Sequence, residues 1–360
     1  MSTKIDEVID MIPHHMNPFG VRAEEEVVDL NGVLSEARFS LGGASVGQYA
    51  VFAGGRISGS VDVYRNTVDA FNSDLVHVAP QPLTDTTSNP GGANLSTYAV
   101  FAGGIGTGSA YRSYVEFYDP NLVKMPRQQL YVGTTSMGSG RAGGYAVFAG
   151  GATDSSTRSS VVTAFNNQLV RSRPTELSAE RYTMMSASVE GYLLFAGGQT
   201  QTLYATTLVE AYSPELVRSI LSALPLGRTN GAGASTFTHA LFAGGMPTGS
   251  TYSTQVIAYT RTLTQVSGLV LSSQRNYFAG ISSTSYALFG GGSQTTGQAT
   301  NLNTVDVFDQ DLVRSARDPL KAARRQHAAA RIGNTNKGLF AGGNDVNNVA
   351  SNILDIYVLS

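Results

Sequence analysis

Tyr49-Ala50-Val51-Phe52-Ala53-Gly54-Gly55 is written seven times along a chain of 360 residues. The glycine pair follows Phe52, Phe101, Phe148, Phe195, Phe242, Phe289 and Phe340, and in the sixth copy Gly290 takes the place of the alanine. The steps between copies are 49, 47, 47, 47, 47 and 51 residues. A period of this size marks a repeat architecture, in which no unit buries its apolar faces alone and neighbours must stack. One repeat domain is therefore expected, against the two or three domains that length alone suggests.

Each repeat reads as four strands. The first is built of small residues, as in Gly42-Gly43-Ala44-Ser45, Gly91-Gly92-Ala93-Asn94, Gly231-Ala232-Gly233-Ala234 and Ala328-Ala329-Ala330, which suits strands converging on an axis. The second is the quoted motif, apolar on both faces and so expected between neighbouring sheets. The third carries an aromatic at one phase, as in Val68-Asp69-Ala70-Phe71 and Val209-Glu210-Ala211-Tyr212. A tight turn such as Asp119-Pro120-Asn121 leads to a fourth strand centred on Leu-Val (Leu75-Val76, Leu122-Val123, Leu169-Val170, Leu216-Val217, Leu312-Val313).

The ends complement each other. Glu26-Val27-Val28-Asp29-Leu30 sits where a fourth strand belongs, and Asn352–Tyr357 matches a third strand with no fourth after it. A ring sealed by residues 23–33, supplying the outer strand of the last repeat, accounts for both and removes an open sheet edge. The expected organisation is thus an N-terminal helix and linker over 1–22 and a repeat domain over 23–360. Within 2–12, Ile5, Val8, Ile9 and Ile12 fall on one helical face, Thr3 can cap it and Pro13 ends it. So short a helix needs a surface for its apolar stripe, on its own domain, on another copy or on a partner protein. His14-His15 read as solvated linker rather than metal ligands.

Composition excludes several classes. Apolar residues make up 42% and charged residues 14%, with 40 glycines, no cysteine and no tryptophan. No disulfide, thiolate ligand or thiol nucleophile is available. The net charge of −2 gives no footprint for nucleic acid. Residues 1–30 hold seven acids against two bases, leaving 22 bases against 19 acids in the rest. No N-terminal run reads as a signal peptide and no segment is long enough to span a bilayer, so membrane insertion is not expected and export by the Sec route is not either. No His-Glu-x-x-His, Gly-x-Ser-x-Gly or phosphate loop is present. The histidines scatter, and the Asn-rich turn at Asn344–Asn348 has too few carboxylates for calcium. No cofactor or metal is expected, and no enzyme activity.

The glycine pair after an apolar strand, the aromatic in the third strand and an arginine opening the next repeat resemble the kelch repeat. Arg38, Arg181, Arg228 and Arg275 each stand 14 residues before the phenylalanine of the following motif. The same slot holds Thr87, Thr134 and Gln326, the last beside Arg324 and Arg325. The resemblance covers about residues 23–360 and implies an all-β, seven-bladed β-propeller of four-stranded antiparallel blades. The kelch tryptophan of the fourth strand is absent. The regular wording is also similar to kelch-type proteins of bacteriophages of gut bacteria and of their hosts.

In kelch propellers the loop between strands two and three and the loop between blades share one face. Here the first loop brings Tyr64, Tyr111, Arg112, Arg158, Tyr204 and Tyr252, and the second brings Arg38, Arg181, Arg228 and Arg275. Tyrosine offers a stacking plane with a polar tip and arginine a fork for carboxylates, which suits a glycan, an acidic peptide or a protein. The alternative is that recurring arginines brace blades and recurring tyrosines cover blade edges. The expected function is a non-catalytic interaction module on a phage virion, attached through its N-terminal segment and presenting this face to a host glycan or protein. The rival expectation is a cytoplasmic bacterial scaffold that binds a protein partner on the same face. An enzyme on a propeller scaffold ranks last.

Overall fold

The computed structural model describes residues 32–57, 63–295, 300–333 and 335–359. The expected helix with Ile5, Val8, Ile9 and Ile12, the His14-His15 linker and the strand at 26–30 lie outside these residues. The fold is an all-β, seven-bladed propeller. Six blades are four-stranded antiparallel sheets in the order 1-2-3-4. Blade 1 comprises Gly42–Val46, Tyr49–Ala53, Val68–Phe71 and His77–Val78, and blade 5 comprises Ala232–Ser235, His239–Ala243, Gln255–Thr260 and Gln265–Val270. Blade 7 contributes Ala328–Arg331, Lys337–Ala341 and Leu354–Val358. Beside its third strand runs the start of the described chain, where Val33 bridges Ile353 and the Leu34 N–H donates to the Asn352 carbonyl at 2.9 Å. Leu83, Leu130, Leu177, Leu224, Leu271 and Leu320 make the same bond after the other blades.

The small residues of the first strand are dictated by backbone crowding. A Cβ at Gly92 would lie 2.2 Å from the Gly43 carbonyl oxygen, and one at Gly233 would lie 1.9 Å from that of Ser186. Inner strands of adjacent blades therefore meet backbone to backbone. Where serine stands instead, it bonds across the gap, as Ser139 Oγ does to the Gly92 carbonyl at 2.9 Å. The second strand is buried from its Ala, Leu or Gly onward, and its phenylalanine meets the third-strand aromatic edge-on, as in Phe195–Tyr212 at 5.9 Å and Phe242–Tyr259 at 5.9 Å between centroids. Third-strand tyrosines also reach the preceding blade. The Tyr118, Tyr212 and Tyr357 hydroxyls donate to the carbonyls of Gln81, Thr175 and Asp318 at 2.8–2.9 Å.

The glycine pair has a conformational cause. Its first member sits at φ between 60 and 69° and its second between 94 and 104° in all seven copies. The second value lies where only glycine is at ease, and at the first position a Cβ would crowd the next link, 2.7 Å from the Thr87 carbonyl oxygen in the case of Gly54. The second glycine's N–H donates to the carbonyl of the residue opening the next blade: Gly55 to Thr87, Gly104 to Thr134, Gly151 to Arg181, Gly198 to Arg228, Gly245 to Arg275, Gly292 to Arg324 and Gly343 to Arg38, at 2.8–3.0 Å. The last bond joins blade 7 to blade 1 and closes the ring.

Two sequence expectations are corrected. The Leu-Val pair does not centre the fourth strand, which begins after it at His77, Arg171, Arg218 or Arg314. It lies in the turn. Leu75, Leu122, Leu169, Leu216 and Leu312 adopt φ of 57–64°, and the preceding Asn, Asp or Ser side chain accepts the valine N–H, as Asp119 does from Val123 at 2.8 Å. The valines, from Val76 at 55% to Val217 at 65%, are exposed, so the apolar pair marks a side-chain-capped hairpin rather than a packed strand. Second, Gln326 does not occupy the arginine slot. Arg324 does, because the first hairpin of blade 7 is two residues longer: Arg331 pairs with Gly338 where Ser45 pairs with Ala50.

Gly198 stands at φ 99°, and a Cβ there would lie 2.8 Å from the Tyr182 carbonyl oxygen, whereas a Cβ at Gly144 would meet nothing within 4 Å. Gly198→Ala is expected to cost more than the ~1–2 kcal/mol of a left-handed non-glycine residue. Gly144→Ala should leave stability almost unchanged. Thermal unfolding of the two variants side by side checks the difference.

Candidate functional site

The arginine slot is a clamp buried between blades. Arg38, Arg181, Arg228, Arg275 and Arg324 are at most 1% exposed. Opposite the motif phenylalanine, the third strand offers Asp69, Glu116, Thr163, Glu210, Ile257, Asp306 and Asp355 in blades 1 to 7. Arg38 pairs with Asp69 at 2.6 Å, and Arg181 with Glu210, Arg275 with Asp306 and Arg324 with Asp355 pair likewise. The acids also accept backbone N–H bonds from the incoming link, as Glu210 does from Ser178 at 2.8 Å. Burial pulls Arg38, Arg181 and Arg275 below the usual guanidinium range, and their carboxylates oppose the shift. Of the two roles open to these arginines, the geometry supports bracing. No guanidinium of Arg38, Arg181, Arg228 or Arg275 reaches solvent.

Blade 5 breaks the pairing. Arg228 faces Ile257, and its Nη1 finds only the carbonyls of Gln255 at 2.7 Å and Gly244 at 3.4 Å. Among the described residues its Nε and Nη2 have no partner, and burial lowers its pKa to about 10.

The face where the inter-blade links meet the loops after the glycine pair is where blades differ. Each link residue pairs with the residue after the glycines, and in blades 1, 2, 3, 6 and 7 that residue pairs in turn with a loop residue. Phe39, Arg56 and Tyr64 form one such row, Ser88, Ile105 and Tyr111 the next, and Thr135, Ala152 and Arg158 the third. Tyr64, Tyr111 and Arg158 thus share one register. Arg112 is half-buried, and a Cβ on Gly106 would lie 2.5 Å from its guanidinium, which leaves it packed beside blade 2.

The face is not uniform. From blade 3 to blade 7 it gathers Arg158, Tyr182, Tyr204, Met246, Tyr252, Tyr277 and Arg325. The Arg158 guanidinium lies 4.1 Å from the Tyr182 ring centre. Tyr182 donates its hydroxyl to Gln199 Oε1 at 2.8 Å, and the Tyr204 hydroxyl points at the buried Met246 sulfur at 3.8 Å. Burial lifts the Tyr204 and Tyr277 hydroxyls above the ordinary range. Nearby Tyr182 and Tyr252 add to the effect, and Arg325 opposes it at Tyr277. These groups stay protonated and can donate. Tyr204 is 38% exposed, Tyr277 36% and the adjacent Leu203 57%. The structure therefore joins Arg158, Tyr204 and Tyr252 of the expected set in one sector and leaves Tyr64, Tyr111 and Arg112 in another. Tyr182 and Tyr277 were missed in sequence. They stand one and two residues after Arg181 and Arg275, and the signal lay in the variable residues beside the arginine series.

Down the axis runs a cavity of about 590 Å³ lined by the first strands of all seven blades. At the end away from the tyrosines, one register position holds Ser45, Asn94, Arg141, Ser188, Ser235, Ser282 and Arg331. Among the described residues no group of three or more His, Cys, Asp or Glu side chains comes together to hold a metal. No described helix is long and apolar enough to cross a membrane.

No protein-family model matches the chain. No curated protein matches it. In fold, 635 chains of solved structures do, as expected of an architecture shared widely. One, "Structure of YjhT", aligns over 90% of this chain and 96% of its own with a TM-score of 0.57 and 11% identity. At that identity the likeness establishes the propeller fold alone.

The clamps predict opposite outcomes for the same substitution. Arg181→Met takes from buried Glu210 its closer ion-pair partner, leaving the half-buried Arg218 at 3.5 Å and the Ser178 N–H, and is expected to cost about 3 kcal/mol. Arg228→Met removes an uncompensated buried charge and is expected to be neutral or stabilising. Denaturant unfolding of both variants reads the contrast.

Proposed function

We propose that this chain is a non-catalytic binding propeller whose ligand is taken by the tyrosine sector of the loop face. The observation that carries the reading is the grouping of Tyr182, Tyr204, Tyr252 and Tyr277, with the Tyr204 hydroxyl on Met246 and with Arg158 and Arg325 at its edges. Exposed aromatic faces stack on the C–H face of a sugar ring, and the protonated phenols, amides and guanidinium forks around them bond its hydroxyls. A surface glycan is the ligand class this chemistry suits best. The kelch-like repeats and their regular wording support placement on a phage virion. There residues 1–22, with the apolar stripe Ile5, Val8, Ile9 and Ile12, attach the propeller to a structural protein or to further copies, and the face meets the host.

A second reading has its own support. Leu203, 57% exposed beside Tyr204, gives the sector an apolar element that a protein partner covers better than a glycan does. An intracellular scaffold binding a protein on the same face is that alternative.

Arrays of host surface glycans probed with wild type, Tyr204→Ala, Tyr277→Ala and Tyr64→Ala test the proposal. Wild type and Tyr64→Ala should bind alike, and the other two should lose at least tenfold with unchanged melting temperatures. Equal binding by all four overturns it. Binding that survives deglycosylation of the target yet is lost in Tyr204→Ala and Tyr277→Ala selects the protein reading.

A further inference from the structure

The opposite end of the axial cavity carries a different chemistry. Its ring of seven equivalent positions holds serine or asparagine in five blades and arginine in blades 3 and 7. Those blades lie three steps apart around the closed ring, so Arg141 and Arg331 approach the mouth from opposite walls. Both also line a contiguous groove of about 450 Å³ that includes Phe237, Thr236 and Thr284.

Neither arginine is neutralised by a described residue. Among the described residues no carboxylate makes an ion pair with Arg141 or Arg331. Glu190, which lines the groove, is engaged by Arg261. This contrasts with the arginine clamps, where four of five guanidiniums have a carboxylate. Each of the pair is nevertheless aimed. Arg141 Nε donates to the Gly143 carbonyl at 2.7 Å, and Arg331 Nε to that of Thr335 at 2.8 Å. Those bonds hold the planes in place and leave the terminal nitrogens as the free fork. The strands beneath are fixed too, since Ser188 Oγ donates to the Arg141 carbonyl at 2.8 Å and Ser45 Oγ to the Arg331 carbonyl at 2.6 Å. Partial burial pulls Arg331 below the usual guanidinium range with no acid to restore it. An oxyanion taken by such forks would make charge-assisted, bidentate bonds.

We propose that this mouth is an oxyanion-binding site, in which Arg141 and Arg331 take the carboxylate or phosphate of a small ligand from opposite sides. The cavity admits a small molecule or the end of a chain, and the groove beside Phe237 takes the rest of it. The site is separate from the tyrosine sector and stands whether or not that sector binds a glycan.

Isothermal titration at constant ionic strength tests it, with citrate and inorganic phosphate as probes and sodium chloride as the control. Wild type should bind at least one probe above the chloride control. Arg141→Gln and Arg331→Gln should each weaken it at least tenfold, with the melting temperature in plain buffer unchanged. The stronger probe tells carboxylate from phosphate. Binding of neither probe by wild type, or equal binding by the double variant, overturns the proposal. Should a variant fail to fold, phenylglyoxal labelling of the wild type, mapped by mass spectrometry, decides instead. Citrate or phosphate should slow modification of Arg141 and Arg331 relative to other exposed arginines, and equal rates with and without both probes reject the site.

Discussion

One hydrogen bond, repeated seven times, holds this ring together. The N–H of the second glycine of each pair reaches the carbonyl of the residue that opens the next blade, and the seventh runs from Gly343 to Arg38. The bond needs a backbone turned to φ near 100°, which a side chain resists, and a neighbouring carbonyl too close to admit one. Both demands select glycine. A second series of six bonds accompanies it at every junction but that of blades 2 and 3. Ser40, Asn89, Thr183, Asn230, Tyr277 and Gln326 donate their N–H groups to Gln326, Ser40, Ser136, Thr183, Asn230 and Tyr277, at 2.8–3.2 Å. Together these bonds tie every blade to its neighbours through the main chain. That frees the adjacent side chains to differ.

The side chains use that freedom in graded ways. Arginine–carboxylate clamps reinforce blades 1, 4, 6 and 7, while blade 2 gives Glu116 to Lys124 and blade 3 has threonine at both positions. Blade 5 keeps the arginine and has lost the acid. A ring that depended on these ion pairs would not tolerate such variation. A ring that depends on backbone bonds does, because a buried pair contributes little net stability over a well-packed substitute. The two ends of the axial cavity diverge for the same reason. One end collects tyrosines from neighbouring blades, and the other sets two arginines against a circle of serines.

Much of the fold was legible in the sequence because it is periodic. Seven copies of the motif gave the blade number, the small residues of Gly42–Ser45 and its counterparts gave the axial strands, and the third-strand aromatics gave the contact between sheets. Phase errors arose where a local signal had two physical meanings. Leu-Val reads as a strand by hydrophobicity, yet the leucine takes a left-handed turn under an Asx or serine cap. The two-residue extension in the blade 7 hairpin moved the arginine slot from Gln326 to Arg324, which spacing alone did not reveal.

The sequence by itself determined the repeat, the blade count and the absence of thiol chemistry, since each is a property of spacing or composition. It also placed the variable residues just after the invariant glycines. Only the tertiary structure decided which variable residues belong together. Tyr182, Tyr204, Tyr252 and Tyr277 are spread over 96 residues of chain, and Arg141 lies 190 residues from Arg331. Closing the ring converts those separations into angles around an axis, and neighbours around an axis are set by blade geometry rather than by distance along the chain. Burial was decided there as well. The arginine series reads equally well as a binding fork or a brace until the clamp closes over it and shuts out solvent.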